Sequence, residues 1–243
     1  MKETFFRQMK KELEYCSVHL SEEQLWKFYR YFELLVDKNK VMNLTAITEE
    51  NEVVTKHFVD SLSVVRVLPG LNDGRSLNII DVGTGAGFPG IPLKIAFPNC
   101  CVTLLDSLNK RIHFLQEICS ELELNDICAI HGRAEDYGQN KIYRETYDVC
   151  VSRAVANLST LSEYCLPFVK PGGLFISYKS GDVEEEVQKA IHGVKLLGGN
   201  IQTIDSFQLP ETEINRSFVV MKKNKSTMGK YPRKAGLPSK EPL

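Results

Sequence analysis

A glycine-rich turn at the end of the first third of the chain constrains the fold more than any other feature. Residues 77–81 form a short, mostly apolar run that ends in Asp81, as expected for a buried parallel strand. Four glycines follow within residues 83–90. Glycine permits positive φ, and its missing Cβ lets a ligand lie against backbone N–H groups. We therefore expect this strand–turn segment to bind a nucleotide-containing cofactor.

Two cofactors are compatible with this turn. Residues 85–90 match the G-x-G-x-x-G pattern of dinucleotide-binding proteins. Residues 81–87 match an acidic residue followed by G-x-G-x-G, the form that methyltransferases using S-adenosylmethionine (SAM) favour. The turn favours SAM but leaves NAD open.

Composition limits the class of protein. A chain of 243 residues with 43% hydrophobic and 25% charged residues suits one soluble domain with an extension. No apolar stretch could span a bilayer, and the first residues lack a signal-peptide core, so we expect a cytoplasmic protein without a membrane partner. Seven scattered cysteines without a C-x-x-C pair indicate neither a disulfide framework nor a metal site.

The pattern of elements divides the chain into three parts. Residues 1–75 are predicted to be a helical extension, with a capping box at Ser21, one helix ending near Asn39 and another over residues 49–68. Residues 76–223 are predicted to be the cofactor-binding domain, and 224–243 a basic tail.

Strands and helices alternate after the glycine turn. Four further strands are expected before residue 180, with a helix over 158–169 and a sharp turn at 171–173, and a last helix over 182–197. The final strands, 201–207 and 217–222, have no helix between them. The sequence thus predicts an α/β, Rossmann-like class I SAM-dependent methyltransferase fold. Its seven-stranded sheet is mostly parallel, with one antiparallel strand near the C-terminus. A dinucleotide-binding fold lacks that ending, which weakens the NAD alternative.

Cofactor contacts are expected just beyond the carboxyl ends of the strands, where the strand order reverses. The residues assigned to this site are Gly83, Gly85, Gly87, Phe88, Asp106, Ser107, Leu108, Ala134, Glu135 and Arg153. Asp106 could accept hydrogen bonds from ribose hydroxyls or cap the next helix, and Glu135 could instead be a solvated charge. Arg153 is a candidate for gripping a cofactor carboxylate or an RNA phosphate, or for a structural ion pair.

Basic residues near the end of the chain are candidates for RNA binding. They are Lys179, Arg216, Lys222, Lys223, Arg233 and Lys234. The alternative for the tail is a solvated, mobile charge run. His57 and Asp60 share a helix face, where ordinary surface roles are the more common ones.

Some catalytic devices are missing from the sequence. It contains no Asn/Asp-Pro-Pro-Tyr/Phe motif after strand four, no Pro-Cys nucleophile after strands four or five, and no obvious pair of catalytic bases. This pattern suits a target atom that is already a nucleophile, so no catalytic residue is assigned beyond the candidate substrate contact Arg153.

Seven segments in one order resemble the bacterial ribosomal RNA small-subunit methyltransferase G family, also called glucose-inhibited division protein B. They are residues 43–45, 57–62, 81–90, 105–111, 132–135, 152–156 and 231–236. The resemblance implies SAM-dependent methylation of guanine N7 in 16S rRNA, with the RNA or the small ribosomal subunit as partner. It also implies cofactor contacts by Gly83, Phe88, Ala134, Glu135 and Arg153. A methyltransferase of small molecules or proteins, an NAD-dependent oxidoreductase and a non-catalytic SAM-binding protein remain alternatives.

Overall fold

The computed structural model describes residues 2–153 and 156–243. Within them, seven strands form one sheet in the order β3-β2-β1-β4-β5-β7-β6. Their bounds are β1 (Asn78–Val82), β2 (Cys101–Asp106), β3 (Ile127–His131), β4 (Tyr147–Arg153), β5 (Val169–Ser180), β6 (Gly199–Gln208) and β7 (Asn215–Lys223). Strands β1 to β5 are parallel, and β7 runs antiparallel to both β5 and β6. The predicted mixed sheet is confirmed, and its order reverses between β1 and β4.

Helices cover both faces of the sheet. They are α1 (Lys2–Leu13), α2 (Glu22–Met42), α3 (Glu50–Val53), α4 (Asp60–Leu62), α5 (Gly90–Ala96), α6 (Asn109–Glu121), α7 (Ala134–Tyr137), α8 (Leu158–Cys165), α9 (Glu184–Leu196) and α10 (Leu237–Lys240). Because side chains alternate along a strand, Ile79 packs into a core with α1, α2, α5 and α6, whereas Ile80 packs into a second core with α8 and α9. In the part of the chain described, no helix has the length and apolarity needed to cross a bilayer.

The predicted capping box fixes the start of α2. Ser21 Oγ accepts from the backbone N–H of Gln24 at 3.2 Å, and Gln24 Oε1 accepts from the Ser21 N–H at 2.8 Å. The helix continues to Met42, three residues beyond the predicted end, and stops where Asn43 turns left-handed with φ 50°. Tyr31, near the middle of this helix, reaches the glycine turn.

The predicted helical stretch over residues 49–68 is confirmed from Glu50 to Arg66, but it is not one regular α-helix. Helix α3 passes into a π-helix at Val54–Val59, then into α4 and a 3₁₀ turn at Ser63–Arg66. The wider π turn changes which side chains share a face, and such turns recur at functional sites. His57 lies inside it, and Asp60 follows directly.

The region before β5 also differs from expectation. Helix α8 ends at Cys165 and is followed by a 3₁₀ turn at Leu166–Phe168, so the predicted helix over 158–169 is too long. Instead of a turn between elements, residues 171–173 lie within β5. They bulge from the ladder there, since Tyr147 pairs with Val169 but Val149 pairs with Leu174.

Candidate functional site

Two cavities meet at Gly83, beyond the carboxyl ends of the parallel strands. The large cavity has a volume of about 430 Å³ and includes five cationic side chains in its lining: Lys56, Arg111, Arg153, Lys179 and Arg216. The small cavity measures about 160 Å³ and is bordered by two acidic residues, Asp106 and Glu135, and by one basic residue, Arg133. The site therefore has a basic end and an acidic end on either side of the glycine turn.

The glycine turn is held from both sides. The N–H groups of Gly83 and Thr84 donate to the Leu105 carbonyl of β2 at 2.8 and 3.2 Å. Tyr31, fully buried on α2, donates its hydroxyl to the Ala86 carbonyl at 2.5 Å. Gly87 has φ 102°, and a Cβ there would lie 2.7 Å from Tyr31 Oη. The N-terminal helices thus take part in shaping the turn.

The buried carboxylate of Asp81 accepts hydrogen bonds from two residues of the glycine turn. Its Oδ2 accepts from Thr84 Oγ1 at 2.7 Å and from the Gly90 N–H at 2.8 Å. Burial raises the pKa of Asp81 to about 6, because the charged form loses its hydration. This carboxylate ties the end of β1 to the start of α5.

Asp106 faces the turn from β2. Its Oδ2 accepts from the Gly85 N–H at 2.9 Å and from Arg111 at 3.2 Å, and its Oδ1 accepts from the Leu108 N–H at 2.9 Å. A carboxylate offers about four lone-pair sites, so Oδ1 retains capacity for a further donor. Ser107 lines the small cavity, while Leu108 stands at the start of α6 with its side chain exposed.

Ala134 and Glu135 form the opposite wall of the small cavity. Both are buried, so Glu135 is not the solvated charge that the sequence left open. Its Oε1 accepts a hydrogen bond from the backbone N–H of Gly236, in the C-terminal tail, at 2.9 Å. The tail therefore reaches the wall of this cavity.

Arg153 lies at the centre of the large cavity. Its guanidinium is 5.0 Å from the centre of the Phe88 ring, and its Nη1 is 2.9 Å from Asp60 Oδ2. The His57 ring stacks on Phe88, with ring centres 4.5 Å apart and planes 17° apart. The ion-pair alternative for Arg153 is thus present, and it lies within the cavity.

Asp60 joins two arginines that are far apart in sequence. While Oδ2 binds Arg153, Oδ1 accepts from Arg216 Nε at 3.0 Å. Only 3% of the Asp60 side chain is exposed, against 14% and 18% for its partners. A single desolvated carboxylate therefore orients both guanidinium groups.

The contacts of His57 favour one tautomer. Arginine is only a donor, and Arg153 Nη2 lies 3.4 Å from His57 Nδ1, which suits a ring with an unprotonated Nδ1. In this tautomer Nε2 carries the proton and donates to Thr45 Oγ1 at 2.8 Å. Burial, reinforced by the positive charge of Arg153, lowers the pKa of His57 to about 3.

We predict that His57 stays neutral throughout the physiological range. Nitrogen NMR of the imidazole should show the Nε2–H tautomer without titration between pH 8 and 5. The unfolded chain binds this proton below about pH 6.5 and the folded chain does not, so acidification to pH 5 should cost wild type about 1–2 kcal/mol more stability than His57→Phe. Urea unfolding at pH 7 and pH 5 measures the difference, and a His57 midpoint near pH 6 would contradict the assignment.

The structure separates the six RNA candidates. Lys179 and Arg216 line the large cavity. Lys222 lies six residues along β7 from Arg216, and Lys234 is exposed in the tail.

Lys223 is fully buried and donates hydrogen bonds to the Leu166 carbonyl and to Thr227, so its prediction as an RNA contact is wrong. Its ammonium group also forms an ion pair with Glu145, 3.2 Å away.

Arg233 is likewise engaged inside the protein. Its guanidinium forms a forked pair with Glu163, a carboxylate with no exposed surface, at distances of 2.6–3.1 Å. The tail is therefore anchored to the domain, although its lysines at positions 225, 230, 234 and 240 are exposed. Residues 227–238 pack on α7 and α8 instead.

Several residues of the site are not among the predicted contacts. Thr45, the last residue of the motif at 43–45, Lys56 and Tyr178 line the large cavity, and their positions depend on the folds of α2, the π-helix and β5. In the motif at residues 152–156, Ala154 and Val155 lie outside the described residues. Within the described ranges, no group of three His, Cys, Asp or Glu side chains could hold a metal ion.

The fold and the cleft at the strand-order reversal define a class I SAM methyltransferase architecture. A structure from Galdieria sulphuraria, assigned as a sarcosine dimethylglycine methyltransferase, superposes on this chain with a TM-score of 0.54. The superposition covers 73% of this chain and 89% of that one, and the two sequences are 13% identical. A family model for rRNA small subunit methyltransferase G matches residues 24–215, and the chain belongs to that family.

Two relatives extend the likeness along nearly the whole chain. Ribosomal RNA small subunit methyltransferase G of Desulforamulus reducens is 51% identical over 98% of this chain and 96% of its own. The protein of the same name from Alkaliphilus oremlandii is 51% identical over 93% of this chain and 94% of its own.

Proposed function

We propose that this chain transfers a methyl group from SAM to guanine N7 in 16S rRNA, in the cytoplasm. One observation carries the proposal: an acidic cavity and a basic cavity meet at Gly83. That polarity suits a nucleoside at one end, and a carboxylate and RNA phosphates at the other. The names of the relatives support rRNA as substrate, and the choice of N7 rests on the family resemblance.

The described residues fit SAM. The free lone pair of Asp106 Oδ1 suits a ribose hydroxyl, and Ala134 and Glu135 are placed to flank an adenine. Arg153 has five N–H donors and uses only part of them on Asp60 and His57, so it can also bind the methionine carboxylate. When bound, SAM supplies an electrophilic methyl group.

The protein's contribution is orientation. His57 stacks on the buried Phe88 beside the glycine turn, and Arg216 and Lys179 can hold the phosphates that flank a target base. Fixing the acceptor in line with the methyl carbon can supply roughly 7–11 kcal/mol of the barrier.

No proton acceptor is needed or provided in this arrangement. Guanine N7 carries a lone pair at neutral pH, so attack requires no deprotonation. Among the described residues that line the large cavity, the His57 nitrogens are both hydrogen-bonded and Asp60 is paired with two arginines. The transfer therefore proceeds without a dedicated general base.

Methyl transfer to ribosomal substrates tests the proposal. Isothermal titration should show binding of SAM and none of NADH. Tritiated methyl from SAM should enter 16S rRNA or small subunits from cells that lack this protein, at a guanine that becomes sensitive to reductive strand cleavage, a reaction of N7-methylguanine. NADH binding would support the oxidoreductase. SAM binding without transfer to RNA would support a binding protein or another methyl acceptor.

A further inference from the structure

The tail has a defined course over the small cavity. Residues 227–238, which we call the C-terminal strap, follow β7 and cross α7 and α8. Those two helices carry the cavity residues Ala134, Glu135 and Tyr164. The strap thus lies directly behind one wall of the cavity.

The strap holds α7 at both ends. At its start, Glu135 accepts from the Gly236 N–H at 2.9 Å. Just past its end, a Cβ on Gly138 would lie 2.9 Å from Pro232, and Gln139 donates to the Pro232 carbonyl at 2.9 Å. A four-residue helix has little stability of its own, so these contacts fix its position.

Two arginines fasten the strap. Arg144 donates to the carbonyls of Thr227 and Tyr231 at 2.7 and 2.8 Å. Arg233 forms its forked pair with Glu163 on α8, and its backbone N–H donates to the same carboxylate at 2.7 Å. Glu163 is immediately followed by Tyr164, which lines the small cavity. One buried carboxylate thereby locks the strap to the cavity wall.

We propose that the C-terminal strap sets the shape of the small cavity, and that Arg233 acts through Glu163 as a positioning residue for the adenosine half of SAM. The inference rests on the proposed function. It assigns Arg233 to the cofactor side of the reaction, whereas charge alone assigned it to RNA. Its effect is therefore on affinity for SAM, with RNA affinity unchanged.

The test compares two matched substitutions in the full-length protein. Arg233→Lys keeps the charge but loses the fork, and SAM affinity measured by isothermal titration should fall about tenfold. Arg66→Lys alters a forked pair with Asp205 that borders neither cavity, and should change SAM affinity by less than about twofold. Methylthioadenosine lacks the methionine carboxylate, and the affinity of the protein for it should fall by the same factor in Arg233→Lys.

Kinetics separates this role from an RNA contact. The KM for SAM should rise with Arg233→Lys, while the KM for RNA stays unchanged. Hydrogen exchange should quicken at the amides of α7 and stay the same in the glycine turn. Glu163→Gln offers a second variant with the same expected direction if Arg233→Lys does not fold.

Three results would overturn the inference. Wild-type affinity for SAM in both Arg233→Lys and Glu163→Gln would remove the strap from cofactor binding while leaving the proposed function intact. A rise in the KM for RNA alone would return Arg233 to phosphate contact. Absence of SAM binding by the wild-type protein would overturn the proposed function itself, and the inference with it.

Discussion

Replacing Asp60 with Asn should lower kcat/KM for RNA methylation about 100-fold, the size of lost hydrogen bonds to charged groups. Asparagine has the same shape but one acceptor oxygen, so it cannot bind Arg153 and Arg216 together. Its amide N–H would face one guanidinium, donor against donor. Both arginines would lose their fixed orientation, and two positive charges would remain close together without a shared counter-charge.

The affinity pattern identifies the bridging role. Because Asp60 orients both Arg153, which we propose binds SAM, and Arg216, which we propose binds RNA, both SAM affinity and RNA affinity should fall. Asp205→Asn is the matched control, since it removes the carboxylate of the Arg66 pair on β6 and should leave both affinities unchanged. Loss of affinity for only one ligand would show that Asp60 serves a single arginine.

Local patterns were enough to predict the sheet and the glycine turn. A buried strand, a cluster of glycines and the lack of a helix between the last two strands are all visible within short windows of sequence. The last of these predicts that one of the final two strands is antiparallel, and in the structure that strand is β7. Such features depend on residues that are close together in the sequence, so local patterns predict them well.

The cluster around Arg153 depends on contacts that no short window contains. Asp60 and Arg216 are 156 residues apart, and they meet only because β7 inserts beside β5. The π-helix that turns His57 and Asp60 toward the site has the same apolar pattern as an α-helix. Residues 53, 54, 58 and 59 are buried, and their spacing fits either form. That pattern contains no reason to prefer the wider turn.

The alternation of side chains along β7 is enough to predict that Lys223 is buried. Val219 and Met221 face one core of the sheet, and a period of two places Lys223 on the same inward face. Lys222 follows Phe218 and Val220 on the other face. Alternation in β7 thus indicates a buried lysine, and charge counting in the tail obscured it. The packing of Arg233 is different, because its partner Glu163 is 70 residues away.

Gly90→Ala should destabilise the protein by about 1–3 kcal/mol, the range for overpacked cores. An added Cβ would lie 2.3 Å from Leu104 Cδ2 and 2.9 Å from Asp81 Oδ2. Leu104 has no exposed surface, so it cannot move without disturbing β2. The hydrogen bond from the Gly90 N–H to Asp81 would be strained as well, and the glycine turn would shift.

The sign of this effect decides between two physical causes. Alanine is the better helix former, and at the first residue of α5 propensity alone predicts a gain of up to about 1 kcal/mol. Steric exclusion predicts a loss. Gly229→Ala is the control, because a Cβ at that position would meet no atom within 4 Å beyond its chain neighbours, and stability should change by less than about 0.5 kcal/mol. Urea unfolding of both variants measures the balance. A stabilised Gly90→Ala would mean that the contact between α5 and β2 yields easily. A destabilised one that also binds SAM weakly would show that the same close packing holds Asp81 and the turn in place.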